Sequence, residues 1–233
     1  MADPLEDGML AHLSKLQSLR GSGVQDAAFK AQLLSVKRWQ SERLAHTYAD
    51  LAAQPRYAPP VDFFLNDLYA AKDFAQRDAE MIRIYPTLKR LLPQSMVETV
   101  GLALELDALS EELDQTLTRL LFAKGNAVTQ NSYADAFRRC GSEARRMRQV
   151  DLVNSVGKRL DAAVDKPFIY STLKLLRGPA KLAGLSQLQH FLERGFGAFR
   201  HMNGADDFLA TIATRESEII RRIFSGHPSP FSL

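Results

Sequence analysis

Cysteine is nearly absent: Cys140 stands alone among 233 residues. That excludes an intramolecular disulfide and a cysteine-rich zinc site, and leaves no adaptation to an oxidising compartment. Long apolar runs are also missing, FFL and LLF being typical, where a membrane span needs roughly 18 to 20 uncharged residues. The stretch MADPLEDGMLAHL puts acids where a secretory signal carries Lys or Arg, with no long apolar core behind them. A reducing cytoplasm and no membrane span are therefore expected. Strand signals are lacking too. No run alternates Val, Ile, Thr or aromatic residues with polar ones, and Asp7-Gly8 and Asn203-Gly204 have no strand-like flanks.

What remains is a chain with 45% hydrophobic and 24% charged residues, enough apolar content and length to bury a core without metals or cross-links. Almost every segment between turn formers repeats with a helical period. The clearest is 94–123, where Leu102, Leu106, Leu109, Leu113, Leu117 and Leu120 lie three or four apart, with Glu105, Glu111, Glu112 and Asp114 largely elsewhere on the helix. The pattern predicts an all-α fold, a compact bundle of about eight mostly antiparallel helices. They are expected near 5–20, 24–52, 62–70, 73–92, 95–123, 131–165, 167–177 with 179–202, and 205–225, the fourth kinked near Pro86. Capping pairs support the starts: Ser22 with Gln25, Asp73 with Gln76, Ser95 with Glu98, and more weakly Ser132 with Asp135 and Asn203 with Asp206. QPRYAPP at 54–60 reads as a connection between an N-terminal helical pair (1–53) and a main bundle (61–233), most simply within one domain.

Net charge is +3, but acids exceed bases by five over 61–123 and bases exceed acids by eight over 124–201. The two segments suit neighbouring elements that complement each other, within one chain or a dimer; an external anionic partner is the alternative.

Motifs for chemistry are few. No Glu lies three residues before His12, His46, His190, His201 or His227, and no two histidines are four apart, so no helical di-iron or zinc arrangement is present and no metal or cofactor is expected. Phosphate-binding glycine loops and serine-nucleophile elbows are missing. Three groups of residues stay in view. Asp67, Tyr69, Arg77 and Asp78, within DFFLNDLYAAKDFAQRDAEMIRIYP, would be the catalytic candidates, but DDxxD is missing, and ordinary work as caps (Asp62, Asp73), core and ion pairs is the preferred account of the stretch. His190, Gly195, Phe196, Phe199 and His201 are the ligand candidates. Gly195 and Gly197 each cost a helix about 1 kcal/mol relative to Ala, which close helix contact or room for a flat, lipid-like or haem-like ligand would explain. Arg138, Arg145, Arg146 and Arg148 are the anion-binding candidates, but they spread around the helix and lack interleaved aromatics for base stacking. Cys140, beside Arg138, Arg139 and Arg145, also falls on an apolar line and suits a structural thiol.

The segments FFLNDLYAAKDFAQRD and FLERGFGAFRHMNGADDFLATIATRE resemble those of a family of uncharacterised proteobacterial proteins of about this length. The resemblance runs from residue 24 onward and implies a bacterial cytoplasmic setting, with no activity attached. The expected function is a non-catalytic helical binding module, acting on a protein partner or a second copy of itself. The alternative is a carrier or enzyme enclosing an apolar ligand such as a lipid, isoprenoid or haem-like molecule, and the third is nucleic-acid binding through the Arg-rich helix.

Overall fold

The computed structural model describes residues 4–21, 27–68, 76–77, 79–84, 93–123, 125, 127–175 and 177–232. Among them there are helices and no strand. In chain order they are α1 (Pro4–Arg20), α2 (Ala27–Thr47), α3 (Ala49–Ala52), α4 (Ala58–Phe63) continuing into a π-helical turn (Phe64–Leu68), α5 (Gln94–Phe122), α6 (Gln130–Arg139), α7 (Glu143–Val164), α8 (Pro167–Leu175), α9 (Arg177–Leu182), α10 (Ser186–Met202) and α11 (Asp206–Phe224). The described residues also contain a helical stretch at 79–84. Pro86, where a kink was expected, lies outside the described residues, as do Ser22, Gln25 and Asp73 of the expected caps.

These twelve elements exceed the eight expected because several long segments break internally. The helix expected over 131–165 is two: α6 stops at Arg139, and Ser142 restarts the chain as α7 by accepting a hydrogen bond from the Arg145 N–H at 3.3 Å. The helix expected over 179–202 is also two. Gly184 takes φ +65°, and the Leu185 N–H reaches the Ala180 carbonyl at 2.8 Å while the Gly184 N–H reaches Lys181 at 3.1 Å. That paired closure ends a helix in the left-handed conformation that glycine adopts without a Cβ penalty. The caps shift accordingly. Thr129, not Ser132, caps α6, its side chain accepting from the Ser132 N–H while Ser132 bonds back to the Thr129 N–H. Ser95 lies inside α5, and Asn203 closes α10 at φ 52° instead of opening α11. Asp62 lies inside α4, its carboxylate on Arg194 at 2.7 Å.

α5 is the axis of the molecule. Its leucine stripe supplies the fully buried Leu113 and Leu117, while Leu104, Ala108 and Leu121 bury further round the helix. α1 packs Met9, Leu13 and Leu16 against Val97, Leu104 and Ala108. α7 runs antiparallel to α5: Glu98, Glu105 and Glu112, seven apart, meet Arg159, Arg148 and Arg145 in reverse order at 3.0, 2.9 and 2.7 Å. The acidic and basic segments thus pair inside one chain. α11 closes on α7 where Gly157 sits, since a Cβ there would meet Leu209 Cδ2 at 2.5 Å. Gly195 does the same for α10 against α4: its Cβ would lie 2.9 Å from Phe63 Cζ.

Candidate functional site

The described helices leave a space between them. A cavity of about 280 Å³ lies among α1, α2, α4, the π-helical turn, the 79–84 stretch, α5, α7, α10 and α11. Six phenylalanines line it, Phe63, Phe64, Phe191, Phe196, Phe199 and Phe208, together with Met81, Met96 and aliphatic residues from α5 and α7. α4, the π-helical turn, α10 and α11 supply the rings because their apolar faces turn inward.

One wall is charged. Asp107, Glu111 and Asp114 follow one another on α5 at steps of four and three, so their carboxyls share a line. Arg20 holds Asp107 at 2.6 Å and Glu111 at 3.1 Å, Lys37 holds Glu111 at 2.8 Å, and Gln40 donates to Asp114 at 2.9 Å. Glu111 is 2% exposed. Burial alone would raise its pKa, but Lys37, Arg20 and the Gln115 amide outweigh it and bring the carboxyl down to about 2. Asp114 goes the other way. Burial pushes its carboxyl above the ordinary range, and Lys37 and Gln40 oppose this only in part.

Beyond Asp114 a second, smaller chamber of about 80 Å³ carries Arg43, Arg146, Tyr133, Gln149 and Glu216. Arg43 meets Glu216 at 2.6 Å, and the Tyr48 hydroxyl donates to the same carboxylate at 2.8 Å. Burial raises Tyr133 to about 12. The Nε atoms of Arg43 and Arg146 are buried there without a hydrogen-bond partner.

The residues singled out by sequence fall in different places. Gly195, Phe196 and Phe199 line the cavity. His190 and His201 are exposed, and His201 Nε2 lies 2.9 Å from the Pro55 carbonyl. The described residues that line the cavity include no histidine or cysteine, which removes the axial ligand that a haem-like reading required. Asp67 is buried against Arg194 at 2.7 Å, and Arg77 meets Asp107 at 3.0 Å and lies over the Phe191 ring at 5.0 Å. Tyr69 and Asp78 lie outside the described residues. The anion-binding arginines form no common surface. Arg145 and Arg148 pair with α5 acids, Arg138 lies near Asp135 at 3.8 Å, and Arg146 is buried. Cys140 is buried, its thiol donating to the Phe137 carbonyl at 3.4 Å.

Sequence reading missed Arg20, Lys37, Gln40, Arg43, Asp107, Asp114 and Glu216. The signal was the spacing of Asp107, Glu111 and Asp114, which line up on a helix face away from the leucine stripe, opposite bases on α2. Among the described residues no group of three His, Cys, Asp or Glu is placed to hold a metal ion, and no helix is long and apolar enough to cross a membrane. No curated protein and no solved structure matches the chain. A family model described as Domain of unknown function (DUF8198) matches residues 20–230, so the chain belongs to that family.

Proposed function

We propose that the protein is a non-catalytic binding protein of the bacterial cytoplasm that encloses one apolar or amphipathic molecule of roughly a dozen carbon atoms between its helices. The cavity carries this reading. At about 280 Å³ it is close to twice the engineered cavity of about 150 Å³ that holds benzene. Apolar side chains that face an unfilled space of this size lack contact partners on one side, which costs stability. A ligand that restores those contacts offsets the cost.

Thermal unfolding with dodecan-1-ol tests it. At a hundred times the dissociation constant the ligand contributes about 2.7 kcal/mol, a rise in Tm of roughly 5–10 °C for a chain of this size. An unchanged Tm across straight-chain alcohols of about six to fourteen carbons would exclude the reading.

A second reading, self-association, rests on Leu175 and Leu182, which are 78% and 91% exposed on α8 and α9. If it holds, sedimentation of the wild type shows a dimer that Leu175→Ser with Leu182→Ser dissociates. A wild-type monomer at about 100 µM, the weak end of association, excludes it.

A further inference from the structure

We infer that the chamber around Arg146 is a carboxylate subsite, which takes the acidic head of the molecule whose apolar body fills the cavity. The inference rests on the binding reading above and narrows the ligand class to a medium-chain carboxylic acid. Of the described cations lining the two spaces, Arg20, Lys37, Arg43 and Arg77 each have a carboxylate partner at 3.1 Å or less. Arg146 has none within ion-pair distance. It is 4% exposed, with Nη1 on the Gln149 side-chain oxygen at 2.9 Å, Nη2 on the Cys140 sulfur at 2.9 Å, its guanidinium carbon 4.0 Å from the centre of the Phe137 ring, and Nε unpartnered. A buried guanidinium with no carboxylate within ion-pair distance is expensive, and a carboxylate is the anion whose geometry its N–H groups match.

The two spaces share walls. Gln40, Phe64, Ser110, Asp114, Val153 and Ile212 line both, so the two spaces lie against each other, and the proposed ligand would place its chain in the larger and its head in the smaller. The chamber's own acids already have partners. Glu216 is bonded to Arg43 and Tyr48. Asp114 accepts from Gln40 at 2.9 Å, and burial pushes its carboxyl up while the charges of Lys37 and Arg146 pull it down. The Tyr133 hydroxyl accepts from Gln40 at 3.1 Å and keeps its own proton for another acceptor.

Calorimetric titration with dodecanoate and with dodecan-1-ol separates head from chain. The wild type is expected to bind dodecanoate at least about 30-fold tighter than the alcohol, as a charge-assisted hydrogen bond supplies. Arg146→Gln should abolish that preference. For a measurement that does not depend on a variant's folding, carboxyl-13C dodecanoate bound to the wild type should titrate well below the free acid. Alcohol binding with no preference for dodecanoate, or a bound carboxyl that titrates at or above the free acid, overturns the subsite and leaves the cavity reading standing. Failure of both compounds to bind overturns both.

Discussion

Glu111 and Asp114 sit three residues apart on one helix face yet respond to pH in opposite directions. Glu111, held at about 2 by Lys37 and Arg20 against its burial, binds fewer protons folded than unfolded. Its contribution is complete above the unfolded value near 4.5 and is lost as pH falls towards 2, an effect of about 3 kcal/mol. Asp114, raised by burial, binds more protons folded, so it costs stability as pH rises above its unfolded value. Denaturant titrations from pH 2 to 7 should therefore show Glu111→Gln less stable by about 3–5 kcal/mol at pH 7, with its acid slope largely gone. Asp114→Asn should be neutral or stabilising at pH 7. The two glycines of α10 make a second contrast. Gly195→Ala drives a methyl to 2.9 Å from Phe63 Cζ and should lose about 1–3 kcal/mol. Gly197 has only the Tyr170 hydroxyl at 3.6 Å from its added Cβ, so Gly197→Ala should gain up to about 1 kcal/mol from helix propensity. Chemical denaturation of the two variants reads both signs. The sequence singled out both glycines but could not separate them, because the difference lies in what the fold sets opposite each.

At the scale of elements, helical periodicity made the all-α class and the long leucine helix legible. The breaks at Ser142 and Gly184 were not, since each is closed by two or three backbone hydrogen bonds whose residues are common inside helices as well. The charge imbalance between 61–123 and 124–201 pointed correctly to complementary neighbours. Its energetic weight is modest. Arg148 and Glu105 meet with two hydrogen bonds at 2.9 Å on a part-exposed face, where such a pair is worth about 0.2–1 kcal/mol. A double-mutant cycle of Glu105→Gln and Arg148→Gln should give a coupling in that range, smaller in high salt. By contrast, Leu117→Ala in α5, fully buried, should cost about 2–5 kcal/mol. A coupling above about 2 kcal/mol, or a mild Leu117→Ala, would mean that charge and not packing holds α5 to its neighbours.

For the whole molecule, the proposed function rests on the space among the described helices. Gly195, Phe196 and Phe199 were visible in sequence because glycines inside an aromatic-rich helix stand out against helix propensity. The charged wall was not: a leucine stripe makes the opposite face look solvated, and only the packing of α1 and α2 shows that Asp107, Glu111 and Asp114 turn inward as well. If the centre is an open binding space, filling it should stabilise the fold and remove the ligand together. Val156 on α7 lines the cavity, and Val156→Phe adds volume there. Overpacking a closed core would instead lose about 1–3 kcal/mol.

The most direct measurement is calorimetric titration of dodecan-1-ol into the wild type and into Val156→Phe, at two temperatures. One site per chain with a negative heat-capacity change in the wild type, weakened at least about tenfold in a variant that unfolds no more easily, is the expected result. No binding to the wild type, or undiminished binding to a destabilised Val156→Phe, would contradict an enclosed apolar ligand site.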